Sequence, residues 1–176
     1  MQHPAVIDGE GGKYFGGLTR LGFDGLHDHH RVEGVADALH GLREAGSGWV
    51  NLMPGIDEDA SDVHPRAGLF AFFGSQAAPV TMTTVMPPKK DRRDSDGLTV
   101  GIMHPTGGQA VERLAEAGVV VPEGWLVRQD HARRGLLLQT PVAVTEAEVM
   151  DWSVRAGTAL CRAEMTGRWR AVLYLP

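Results

Sequence analysis

Three histidines and two aspartates crowd into the stretch from Asp24 to His30, DGLHDHH. Imidazole nitrogens bind zinc, nickel and copper well, and carboxylates can complete such shells. His27, His29 and His30 are therefore candidate metal ligands, to be joined by His64 from the acidic run IDEDASDVHP at residues 56–65. Their spacing does not match the i, i+4 histidine pair of a helix. The competing reading is that Asp28 or a histidine caps the helix that follows and the other side chains are solvated.

A second cluster is HPTGGQAV, His104 to Val111, where a strand gives way to a helix. Backbone N–H groups of Gly107, Gly108 and Gln109 at a helix start favour an anion, and His104 at the strand end can join them. The pattern lacks the lysine of a phosphate-binding loop, and Thr106 with Gln109 reads equally as a capping box. A third cluster is the turn QDHARRG, Gln129 to Gly135, in which Asp130, His131, Arg133 and Arg134 stand together. Two arginines can hold a carboxylate or phosphate, and an Asp-His pair can exchange protons. A polar hairpin turn explains the same residues without a ligand.

Other chemistry has little footing. No serine or cysteine sits in a recognisable nucleophile elbow, so nucleophilic catalysis is not expected, and no cofactor motif is present. One cysteine among 176 residues excludes an internal disulfide framework and fits a reducing cytoplasm. The net charge of −5 gives no general pull toward nucleic acid or an anionic membrane. The start, MQHPAVIDGEGGK, has neither the basic nor the apolar region of a secretory signal. Residues 67–88 carry no charge and are long enough to span a bilayer. Gly74, Ser75, Gln76 and Pro79 interrupt them, so they read as two strands and a turn.

The elements that must position these clusters follow from periodicity. Residues 1–30 are glycine-rich and without a sustained period, which predicts an irregular arm. Val32, Val35, Ala36, Leu39 and Leu42 recur at helical spacing over residues 31–45, and strands are expected at 48–53, 69–73 and 80–86. The charged, proline-led stretch PPKKDRRDSDG marks a linker over 89–97, separating an N-terminal part at 31–88 from a C-terminal part at 98–176.

Beyond the linker the order is β-α-β-β-α-β: strand 98–104, helix to Gly118, strands 125–129 and 135–140, a helix opened by the Thr145/Glu148 capping box, and strand 168–175. This is the order of a ferredoxin-like unit, with two helices on one face of an antiparallel sheet. RNA-recognition domains share it, but the expected central strands LTVGIM and GLLLQ offer no stacking aromatic, so nucleic acid is not an expected partner. LREAG followed by GWVNL, and LAEAG followed by GWLVR, suggest a divergent internal duplication, against the competing reading of chance likeness between short strings.

The second sheet face, carrying Thr99, Gly101 and Met103 with Val172 and Tyr174, is half apolar, so cover by the N-terminal strands or a second copy, a homodimer, is expected. The overall reading is an α+β protein with a C-terminal ferredoxin-like unit and an N-terminal α-β-β-β part. It binds a small anionic ligand or a protein partner near His104, Gly107, Gly108, His131 and Arg134, without catalysis. The alternative is a small metal-dependent enzyme built on His27, His29, His30 and His64.

Overall fold

The computed structural model describes residues 18–23, 29–56, 80–92 and 96–174, with side chains described from Glu33 onward. In chain order the elements are β1 (Leu18–Phe23), α1 (His29–Ala45), β2 (Trp49–Ile56), β3 (Met82–Met86), β4 (Thr99–Met103), α2 (Ala110–Glu116), β5 (Leu126–His131), β6 (Gly135–Gln139), α3 (Glu146–Leu160) and β7 (Met165–Tyr174). A short 3-10 helix spans Lys90–Arg92 between β3 and β4. Strands β7-β2-β3-β4-β6-β5 form one antiparallel sheet, and β1 extends it at the β7 edge. The chain is a mixed α+β protein, and no helix among the described residues is long and apolar enough to cross a membrane.

All three helices lie on one face, because strand residues of a single parity share one core with them. Val50 and Leu52 of β2, Val100 and Ile102 of β4, Leu136 and Leu138 of β6, and Ala171 and Leu173 of β7 alternate inward. The α3 residues Val149, Trp152, Ala156 and Leu160 cover them at i, i+3 and i+4 spacing. The Thr145 hydroxyl accepts from the Glu148 backbone N–H while the Glu148 carboxylate accepts from the Thr145 N–H at 2.9 Å, so the expected capping box starts α3. Trp152 donates its indole N–H to the Val120 carbonyl at 3.0 Å and lies 5.0 Å from the Trp125 ring, fixing α3 to the α2–β5 connection.

The two related strings take one local form. Gly46 and Gly118 both end their helices with φ near +65 and +76. The following N–H, of Ser47 or Val119, reaches back to the carbonyl of Leu42 or Leu114. That bond five residues back closes a Schellman cap, which glycine alone enters without Cβ strain.

Several elements differ from their sequence-based bounds. A strand, β1, occupies part of the region read as an irregular arm, with Leu18 opposite Tyr174 and Phe23 opposite Trp169. Its partner lies some 150 residues away, so nothing local announces the pairing. β2 runs on through Pro54 to Ile56 beside β7, with a bulge between Pro54 and Ile56. Its pairing with β3 ends at Leu52, so a proline without an N–H is tolerated there. α1 begins at His29 rather than Arg31. The expected strand at 69–73 lies outside the described residues. β2 and β3 also do not cover the second face of the C-terminal strands; they join the same sheet between β7 and β4.

Register also fixes which loops share an end. The row Trp169, Pro54, Thr81 and His104 marks one end of the sheet, where β1, β2, β4 and β5 finish and β3, β6 and β7 begin. The strand-to-helix connections β1 to α1 and β4 to α2 leave from it, whereas β6 to α3 leaves from the other end. The opposite end carries the starts of β2 and β4 and the loop into α3.

Candidate functional site

The end of the sheet just defined gathers the loop after β4, residues 104–109, and the β5–β6 turn, residues 132–134. His104 continues the inward parity of Val100 and Ile102, which buries it to 6% exposure. Its Nδ1 lies 2.9 Å from the Thr106 hydroxyl, while Nε2 is buried without a hydrogen-bond partner. Burial lowers its proton affinity most; the nearby Asp130 carboxylate opposes that and Arg113 adds to it, leaving the ring held below the ordinary histidine value. It is therefore a neutral imidazole near pH 7.

The expected Thr106/Gln109 capping box does not form. Gln109 adopts a left-handed backbone with φ of 64° and makes no side-chain cap, and Thr106 is engaged by His104. The cap comes instead from β5: the two oxygens of Asp130 accept from the N–H groups of Ala110 and Val111, each at 3.1 Å. A carboxylate at these first free amides meets both their hydrogen-bonding need and the positive end of the helix dipole.

Asp130 faces α2 because it pairs with the inward Leu136, while Gln129, on the other side of the bulge after Val127, pairs with Leu137. At the turn, the His131 Nδ1 accepts from the N–H groups of Arg133 at 3.0 Å and Arg134 at 3.3 Å. The ring proton of neutral His131 must then sit on Nε2, leaving a donor. The Gln129 side chain donates to the carbonyls of Arg134 and Gly135, which stiffens the turn further. Gly108 lies near this turn: a Cβ built on it would be 4.0 Å from the Ala132 methyl. The 104–109 loop, with His104, Gly107 and Gly108, and the β5–β6 turn, with His131 and Arg134, therefore lie at the same end of the sheet.

The histidine cluster is divided differently. His27 and His64 lie outside the described residues, and His29 and His30 occupy the first turn of α1, where side chains are not described. Among the described residues no three His, Cys, Asp or Glu side chains come together as a metal cage.

A polar groove of about 500 Å³ at the opposite end escaped the sequence reading. There the Arg43 guanidinium donates to the carbonyls of Val142 at 2.5 Å and Val144 at 3.4 Å and to the Glu146 carboxylate at 3.2 Å. His40 Nδ1 stands 3.4 Å from the same carboxylate. Burial pushes Glu146 up, but its backbone hydrogen bond, Arg43 and His40 outweigh this and hold it below the usual carboxylate range. With every strong group already paired, this is a latch between α1 and α3. The partners lie about 100 residues apart, and no local pattern reveals them.

No protein-family model matches the chain, and no curated protein matches it.

Proposed function

We propose that this protein is a binding module that holds a small anionic ligand, a carboxylate or phosphate, where the 104–109 loop meets the β5–β6 turn. One observation carries the reading: a Cβ built on Gly108 would lie 4.0 Å from the Ala132 methyl, so a glycine without a side chain leaves space beside the turn bearing His131, Arg133 and Arg134. Asp130, beside the turn, is engaged by the α2 amides. The exposed arginines and the His131 Nε2 donor then dominate the ledge, and a planar guanidinium matches a carboxylate or phosphate in two-point contact.

Calorimetric titration with inorganic phosphate and with citrate tests the reading. Saturable binding is expected, weakened about tenfold by Arg134→Ala, since one charge-assisted contact contributes about 1.5 kcal/mol. Absence of binding, or an unchanged affinity in Arg134→Ala, refutes it.

A metal-dependent reading is retained because the β1–α1 connection, which carries His27 and leads into His29 and His30 of α1, and the segment after β2, which carries His64, both depart from this same end. Metal analysis of untagged protein decides it: near-stoichiometric zinc, nickel or copper supports it, and less than about a tenth of an equivalent removes it.

The same reading extends to the architecture. β4-β6-β5 pair as in a ferredoxin-like unit, and β7 keeps the direction such a unit requires, with the β2–β3 hairpin inserted between β7 and β4. The matching Schellman caps at Gly46 and Gly118 support a divergent duplication. The lone cysteine supports a reducing, cytoplasmic setting.

A further inference from the structure

The sheet ends at β5, which pairs only with β6. Alternate N–H and C=O groups along the outer side of Leu126–His131 therefore point away from the sheet, a template for another strand. Six residues at about 3.4 Å each give an edge of about 20 Å. Of the five large apolar side chains exposed among the described residues, three lie in β5 or the connection into it: Val120, and Leu126 and Val127, which are 52% and 47% exposed. Leu126 is opposite Gln139 and Val127 opposite the buried Leu138, so each face of the strand carries one of them. The sheet face turned away from the helices, by contrast, is closed at its centre, where Asn51, Met82 and Val172 are buried.

This open edge carries opposite charges at its two ends. Glu123 is exposed in the turn just before β5, which the Trp125 N–H closes on the Pro122 carbonyl at 3.1 Å. Arg133 and Arg134 are exposed in the turn just after it. Arg128, midway between, donates to Gln139 Oε1 at 3.0 and 2.6 Å, which draws its charge over its own sheet rather than across the edge. A strand set antiparallel to its own copy puts the first turn of each beside the last turn of the other, acid beside base at both ends.

We infer that β5 pairs antiparallel with β5 of a second copy, joining the two sheets across a two-fold axis near Arg128. Such a contact uses the β5 edge of both chains and closes at two. Charge decides direction and occupant: a parallel copy would set arginine beside arginine, whereas an antiparallel copy supplies its own complement. The bulge between Val127 and Gln129 twists the strand at its middle, so the ladder is short and the contact small. Dissociation on the order of ten micromolar or weaker is expected of so limited an interface. The pairing does not rest on the anion ledge, because phosphate titration reads the ledge and mass reads the edge.

Sedimentation velocity on the full chain, from about one micromolar to about one millimolar, tests the inference across that range. The mass should rise to twice that of the monomer and no further, less readily at high salt. Glu123→Arg and Arg133→Glu should each weaken the association about tenfold, and the two changes together should restore it, since the swapped charges again complement each other. Leu126→Lys should abolish it with the melting temperature little altered. A monomer throughout the range overturns the inference and leaves the edge to an extended segment of a different protein. Growth beyond two copies, a double variant no better than the single ones, or indifference to Leu126→Lys overturns it as well.

Discussion

Replacing Asp130 by alanine should loosen the start of α2, whose first-turn amides this β5 carboxylate caps while Ala110 and Leu114 stay buried in the core. Both oxygens accept from first-turn amides, at 3.1 Å each, from a strand 19 and 20 residues further along the chain. Loss of an ordinary N-cap side chain costs about 1 kcal/mol, and loss of a carboxylate at the helix dipole about 0.5 kcal/mol more at an exposed site. The expected loss is therefore about 1.5 kcal/mol, a drop of about 3–6 °C in melting temperature for a domain of this size. Asp130→Asn keeps one acceptor and should lose roughly half as much. Urea unfolding measures both, with the slope unchanged. Amide exchange at Arg113 and Leu114 should quicken in parallel. Thr106→Ala is the informative control: a Thr106/Gln109 capping box makes it the more damaging change, whereas the structure makes Asp130→Ala the worse. A larger loss from Thr106→Ala refutes the reasoning.

Gly157→Ala should destabilise by about 1–2 kcal/mol in a thermal melt despite the better helix propensity of alanine, because the new Cβ would lie 2.7 Å from Trp169 Cη2. Gln109→Gly should raise stability by about 0.5–1 kcal/mol in urea unfolding, since glycine accepts the φ of 64° that strains glutamine. His104 binds a proton less readily when folded than when unfolded, so the unfolded chain takes up more protons as the pH falls through about 6.5. Stability should be full above that pH and decline below it until the depressed folded value is reached. A His104→Asn variant should flatten that part of the pH profile, and an unaltered slope contradicts the assignment.

The legible parts of the fold were those written in neighbouring residues. The Thr145/Glu148 box, the glycine caps after LREAG and LAEAG, and the inward alternation of Val100, Ile102, Leu136 and Leu138 all join residues within one or two turns or one strand. What escaped depends on distant parts of the chain meeting. β1 pairs with β7, Arg43 reaches carbonyls about 100 residues on, and β2–β3 joins the C-terminal strands edge to edge rather than packing on them. Thr106 illustrates the limit of local signals: its capping motif is present in sequence, yet a carboxylate from β5 reaches the helix first. The end of β4 and the β5–β6 hairpin turn were legible because each is marked by residues adjacent in the chain.

The anion ledge is tested most directly by following the backbone amide resonances of the ¹⁵N-labelled full chain while inorganic phosphate is added. The account predicts shifts that saturate and are confined to Gly107, Gly108, Ala132, Arg133 and Arg134. Shifts that grow without saturation, or that centre on Arg43 and Glu146 at the other end of the sheet, contradict it.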